Sequence, residues 1–144
     1  MKLSTDDVLK TLVDDVPHVG ILRDQQPELW NGKPQNNYAV FGEVVRPYVF
    51  RLLQTHANED ELHRVFCFFE KMAEAESFAL LDLLQVEIIE PISRNKRVRE
   101  QALPYAGDRV KKLMNETAKW RLGPWVANLF SRFIHPGSRK ESQR

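Results

Sequence analysis

His63 and Cys67 stand four residues apart, about one helical turn, and Glu70 and Glu74 continue the same line; His56 lies a short way upstream. Imidazole, thiolate and carboxylate are all zinc ligands, and this spacing would bring them to one helix face. The set lacks a second cysteine pair and lacks the His-Glu-x-x-His of a metalloprotease helix. A solvated face with an incidental histidine and a half-buried cysteine accounts for it, so no metal is expected. Cys67 as a nucleophile would need an adjacent base and a depressed pKa. His63 could supply the base, but nothing in the chain supplies an oxyanion hole. The six glycines are isolated, which gives no Gly-rich phosphate loop. The expectation is a protein that is not an enzyme and carries no cofactor.

The charges are more informative. Residues 1–90 hold eight Lys/Arg against sixteen Asp/Glu, and residues 91–144 hold thirteen against four, so a net charge of +1 conceals a split of −8 and +9. Such a split implies two surfaces that meet different electrostatic surroundings. Asp6-Asp7 and Glu59-Asp60-Glu61 fall at helix starts, where the helix dipole favours them. Asp14-Asp15 fall near a helix end, where it does not. The acidic candidates for partner binding are therefore Asp14, Asp15, Asp60, Glu70, Glu74 and Glu76, complementary to a cationic cleft such as that of a nuclease. The basic run Arg94, Lys96, Arg97 and Arg99, followed by Arg109, Lys111, Lys112, Lys119, Arg121 and Arg132, could instead follow a phosphate backbone, with Tyr105, Trp120 and Trp125 for stacking. A third reading is internal, with basic helices packed beside acidic ones.

The elements that must position these residues are helical. Ser4 reads as the cap of a helix that carries Val8, Leu9, Leu12 and Val13 and stops at Pro17. Residues 17–37, punctuated by prolines and Asn31-Gly32, read as a long irregular segment with a short helix at Pro27–Trp30. A second helix spans 38–56 with a kink or break at Pro47. Asn58 and Glu61 form a capping box for a third, 59–75. On it Leu62, Val65, Phe66, Phe69, Met72 and Ala73 share a sector of about 120°. The fourth, 77–90, is apolar nearly all round, which predicts a buried central helix ended by Pro91. Ser93 caps a short basic helix, a sixth covers 107–121, and Trp125 to Ile134 make a last amphipathic one.

No strand pattern and no strict internal repeat is visible, so the fold class is all-α: six or seven helices in antiparallel pairs, as an irregular bundle or a short HEAT-like array. At 144 residues one domain is expected, here 1–135 with a flexible basic tail at 136–144. A lone cysteine fits a reducing compartment, the amino-terminus is not a secretory signal, and Phe78–Ile89 is too short and polar to span a bilayer. A cytoplasmic location follows as an expectation.

Four stretches carry a resemblance: DVLKTLVDDVP at 7–17, YAVFGEVVR at 38–46, LLDLLQVEIIEPI at 80–92 and LPYAGDRVKKL at 103–113. Across residues 5–121 their order resembles a family of small bacterial all-helical proteins, some of which look like immunity proteins of toxin–immunity systems. The resemblance implies a cytoplasmic, non-enzymatic protein that binds and neutralises a cognate toxin as a heterodimer. The alternative is a nucleic-acid-binding regulator using residues 94–132.

Overall fold

The computed structural model describes residues 2–30 and 36–120; among these, every regular element is helical. Helix α1 is Val8–Asp15. Ser4 does not cap it; the Ser4 N–H donates to Asp7 Oδ1 at 2.9 Å, and Asp7 is the residue before the helix. Pro17 does not open a loop. It occupies the first turn of α2, Pro17–Gln25, where a missing N–H leaves no intrahelical bond unmade. A single 3-10 turn follows at Pro27–Leu29, close to the short helix expected there.

Helix α3 runs through Asn37–Val40, a π-helical turn at Phe41–Val45, and Arg46–Thr55. After α4, Glu59–Glu74, helix α5 repeats that plan: Phe78–Leu84, a π turn at Gln85–Ile89, then Glu90–Arg94. Pro47 thus lies inside a continuous α3 without breaking it, and Pro91 does not end α5. A proline collides with the carbonyl four residues back and offers it no N–H; widening the preceding turn to π geometry makes room. In α5 the carbonyl so deprived belongs to Glu87. Arg46 Nη1 donates to it at 3.2 Å and reaches the Glu87 carboxylate at the same distance. Asn95, rather than Ser93, caps α6, Lys96–Ala102, by accepting from the Val98 N–H. A 3-10 turn at Leu103–Tyr105 leads to α7, Asp108–Trp120.

Side-chain bonds fix how these helices stack. Tyr38 bonds Asp82 and Arg46 bonds Glu87, so α3 and α5 lie side by side and parallel. Tyr105 touches His63 and Phe66, and Glu70 meets Arg109 and Val110, so α4 and α7 are parallel too. Ser93 bonds Met114 and Gln85 bonds Thr117, which makes α7 antiparallel to α5. Two antiparallel pairs, α3/α4 and α5/α7, are therefore stacked in register, with α6 against α3. The result is two stacked antiparallel pairs, within the all-α class expected. It exposes a degenerate repeat that the sequence alone does not announce: Glu43-Val44-Val45-Arg46-Pro47 recurs as Glu87-Ile88-Ile89-Glu90-Pro91.

The core lies between the two layers and includes Phe41, Phe66, Phe69, Leu84 and Ile88. Phe68, outside the apolar sector expected for α4, is also fully buried. The reason is that α4 touches α1, α3, α5 and α7 at once. Conversely α5 is not buried all round, since Phe78 and Val86 are exposed. Residues 121–144, with the expected helix Trp125–Ile134 and the basic tail, lie outside the described residues.

Candidate functional site

The last turns of α4 meet α1 side by side and antiparallel. Lys71 Nζ pairs with Asp15 Oδ2 at 2.5 Å, and Lys2 Nζ with Glu76 Oε2 at 2.7 Å. Between these pairs lies an open groove of about 390 Å³, lined by Lys2, Leu3, Asp7, Thr11, Lys71, Glu74 and Ala75. Asp7, Thr11 and Asp14 recur at helical spacing, so Asp14 continues the groove wall along α1. Asp14 and Glu74 are exposed, and neither has an ion pair among the described residues. Glu76 stands at φ 57° in the left-handed region, at the bend from α4 to α5. The Lys2 ammonium hydrogen-bonded to it holds its carboxyl below the usual carboxylate range. The Lys2–Glu76 pair is exposed on both sides, and Lys71 is exposed where it meets the half-buried Asp15, so solvent screens both ties.

Two of the six acidic candidates are not part of this surface. Asp60 lies in the first turn of α4, fourteen residues from Glu74 and so about 21 Å away along the helix. Glu70 turns toward α7 and caps it from outside. Its Oε2 accepts from the Arg109 N–H at 3.0 Å and its Oε1 from the Val110 N–H at 3.1 Å. This explains Gly107, where an added Cβ would fall 2.5 Å from Glu70 Oε1.

The basic candidates divide as well. Arg94 leans on Glu90 at 3.5 Å, and Arg99 donates to the Ser93 carbonyl at 3.3 Å. Lys96, Arg97, Lys111 and Lys112 are exposed and have no ion pair among the described residues. Arg94 closes α5 while Glu76 precedes it, so Lys96 and Arg97 follow the far end of a helix about 25 Å long, whereas α7 begins beside Glu70 and its Arg109 acts on the Glu76 carboxyl. A groove of about 450 Å³ between the kinked helices is lined by Gly42, Arg46, Pro47, Phe50, Pro91, Arg94 and Asn95.

The line of residues from His63 to Glu74 does not form a metal centre. Cys67 is exposed rather than half-buried, His63 packs edge-on against Tyr105 at 4.9 Å, and Glu70 faces α7. Among the described residues no three His, Cys, Asp or Glu side chains converge as metal ligands. The sequence reading missed a polar pair instead. Asn58 Oδ1 accepts from the Glu61 N–H at 3.1 Å, as a cap should, but the Glu61 carboxylate does not reciprocate. It is buried, where it accepts from the Tyr48 hydroxyl at 2.6 Å, with His18 stacked on Tyr48 at 5.0 Å. Burial and the neighbouring carboxylate push the Tyr48 hydroxyl well above its ordinary range. The spacing of Asn58 and Glu61 gave no hint of this third partner.

No described helix is long and apolar enough to cross a membrane. The family described as "Domain of unknown function (DUF7674)" matches residues 9–121, which is 113 of the 144 residues. No curated protein and no solved structure matches the chain.

Proposed function

This chain belongs to the DUF7674 family, and from that premise we propose that it is a non-enzymatic protein-binding module, an immunity protein that binds and neutralises a cognate toxin in the cytoplasm. The observation that carries this reading is the set of carboxylates around the groove between α1 and the end of α4, where Asp7 and Glu74 stand beside Lys2 and Lys71. Among the described residues Asp14 and Glu74 have no ion pair, and Asp15 and Glu76 are paired with the exposed Lys71 and Lys2. Carboxylates left without internal partners attract a cationic surface, speed encounter with it and fix its register. The lysine ties can be exchanged for a partner's cations at little cost. The product would be a heterodimer in which this end of the molecule covers the toxin's active cleft.

The test is protection of cells from the toxin encoded beside the gene, together with capture of that toxin by the purified chain. Asp14→Lys with Glu74→Lys is expected to slow association at least tenfold and to flatten its salt dependence, whereas Lys96→Glu with Arg97→Glu leaves both unchanged. Full protection by the acidic-end variant, or no toxin captured by the native chain, overturns the reading.

The second reading, a nucleic-acid-binding regulator using residues 94–132, is favoured by the exposure of Lys96, Arg97, Lys111 and Lys112, which have no ion pair among the described residues. It requires binding to DNA or RNA that weakens steeply with salt. Negligible binding at low salt removes it.

A further inference from the structure

The polar side chains along the groove between the proline turns of α3 and α5 have donors left over and their acceptor engaged. Arg46 gives only Nη1 to Glu87, bonding its carbonyl and its carboxylate at 3.2 Å each. Among the described residues Nη2 and Nε make no hydrogen bond, and Nη2 lies 3.7 Å from where a Cβ on Gly42 would stand, on the groove wall. Asn95 Oδ1 accepts from the Val98 N–H at 3.1 Å, which fixes the oxygen on α6 and leaves the two N–H donors of Nδ2. Arg94, its side chain 64% exposed, meets Glu90 at 3.5 Å, a tie that solvent screens. Three donor groups therefore border one groove, and the acceptor among its lining side chains is committed to Val98.

Such a lining selects an anion, and one of low charge. Glu87 and Glu90 stand beside the two arginines, so positive charge does not accumulate there. A phosphate backbone is held by accumulated positive charge. A single carboxylate is recognised by direction instead. The Arg46 guanidinium, anchored by Glu87, offers its remaining N–H groups in a fixed plane, and Arg94 can leave Glu90 at little cost. The rest of the lining is Pro47, Phe50 and Pro91, an apolar surface whose side chains carry no hydrogen-bonding group. The volume of about 450 Å³ is that of a compact ligand site, and the groove is open to the surface, so an extended chain can cross it.

We propose that this groove docks an acidic peptide segment of a partner protein. One Asp or Glu carboxylate is bound by Arg46, Arg94 and the Asn95 amide, and a neighbouring apolar side chain lies on Phe50 and the two prolines. The site shares no lining residue with the groove between α1 and α4 and does not rest on the toxin reading. It is a second protein contact, opposite in sign to the first.

Magnetic resonance titration of the full chain tests this with three probes: acetyl-Leu-Glu-Leu-amide, its uncharged twin acetyl-Leu-Gln-Leu-amide, and inorganic phosphate as the group a nucleic acid would offer. The Glu peptide is expected to shift the Gly42, Phe50 and Asn95 amides saturably, and to bind at least tenfold more tightly than the other two. Because Arg46 also braces the fold, the variants are placed at the exposed Arg94 and Asn95. Arg94→Gln is expected to weaken binding at least threefold. Asn95→Asp keeps an acceptor for the Val98 N–H but sets a carboxylate where the donor stood, and is expected to abolish binding with the remaining spectrum native. Lys111→Gln leaves the affinity unchanged. Equal or tighter binding of the Gln peptide or of phosphate, no saturable shift, or full affinity in either groove variant overturns the proposal.

Discussion

Tyr48 and Glu61 form a buried hydroxyl–carboxylate bond, with the exposed Arg64 3.6 Å from the carboxylate's other oxygen, and its value is asymmetric. Tyr48→Phe leaves the buried carboxylate without that donor, so unfolding in urea should show a loss of about 1–3 kcal/mol. The pH dependence has a definite sign. Tyrosine ionises near its ordinary value of 10.0 in the unfolded chain and above that in the fold. Between those values the folded state keeps a proton that the unfolded state has lost, so stability is intact below about pH 10 and falls as pH rises further. Tyr38, raised by burial and by its bond to Asp82, acts in the same direction. Urea midpoints from about pH 9 to about pH 11 should fall in the native chain and fall less in Tyr48→Phe. At Gly107 the argument is steric. Gly107→Ala would push the Glu70 carboxylate off the start of α7, and Glu70→Ala removes the same cap at a cost of about 0.5–2 kcal/mol. The two losses should be strongly non-additive in a double-mutant cycle, because both remove one interaction.

At the scale of elements, the paired π turns are the distinctive feature. Each lets a helix pass through a proline, and the cost at Glu87 is met from the neighbouring helix by Arg46. Arg46→Ala should therefore destabilise by about 1–3 kcal/mol, since a half-buried carboxylate and a carbonyl lose one donor together. Pro91→Ala restores an N–H four residues beyond the Glu87 carbonyl and should shrink the effect of Arg46→Ala. If chemical denaturation shows the Arg46→Ala loss undiminished in the Pro91→Ala background, this account of the kink is wrong. Prolines are legible in the sequence as interruptions. The π turns are not, because whether a helix stops or widens depends on what the next helix offers its freed carbonyl.

For the whole molecule, the separation of charge is real but smaller than composition implies. Asp15, Glu70 and Glu76 tie elements together, as do Arg46 and Arg99. Among the described residues, exposed charge without an ion pair remains at Asp14 and Glu74 on one side and at Lys96 and Arg97 on the other. Protection should follow layer depth. Amides of α4 and of the middle of α5 should exchange hydrogen only with global unfolding, and those of α2, which buries only Val19 and Gly20, much sooner. Equal protection of α2 and α4 in native-state exchange would contradict this picture. The residue pattern by itself determined that the chain is helical, where α4 and α7 lie, and the apolar face that α4 turns inward, because helical period and capping residues act within one turn of the chain. It could not determine that Glu70 caps α7, that Glu61 seeks Tyr48, or that Pro91 lies within a helix. Each of those depends on a partner from another helix, and only the stacking of the two pairs supplied it.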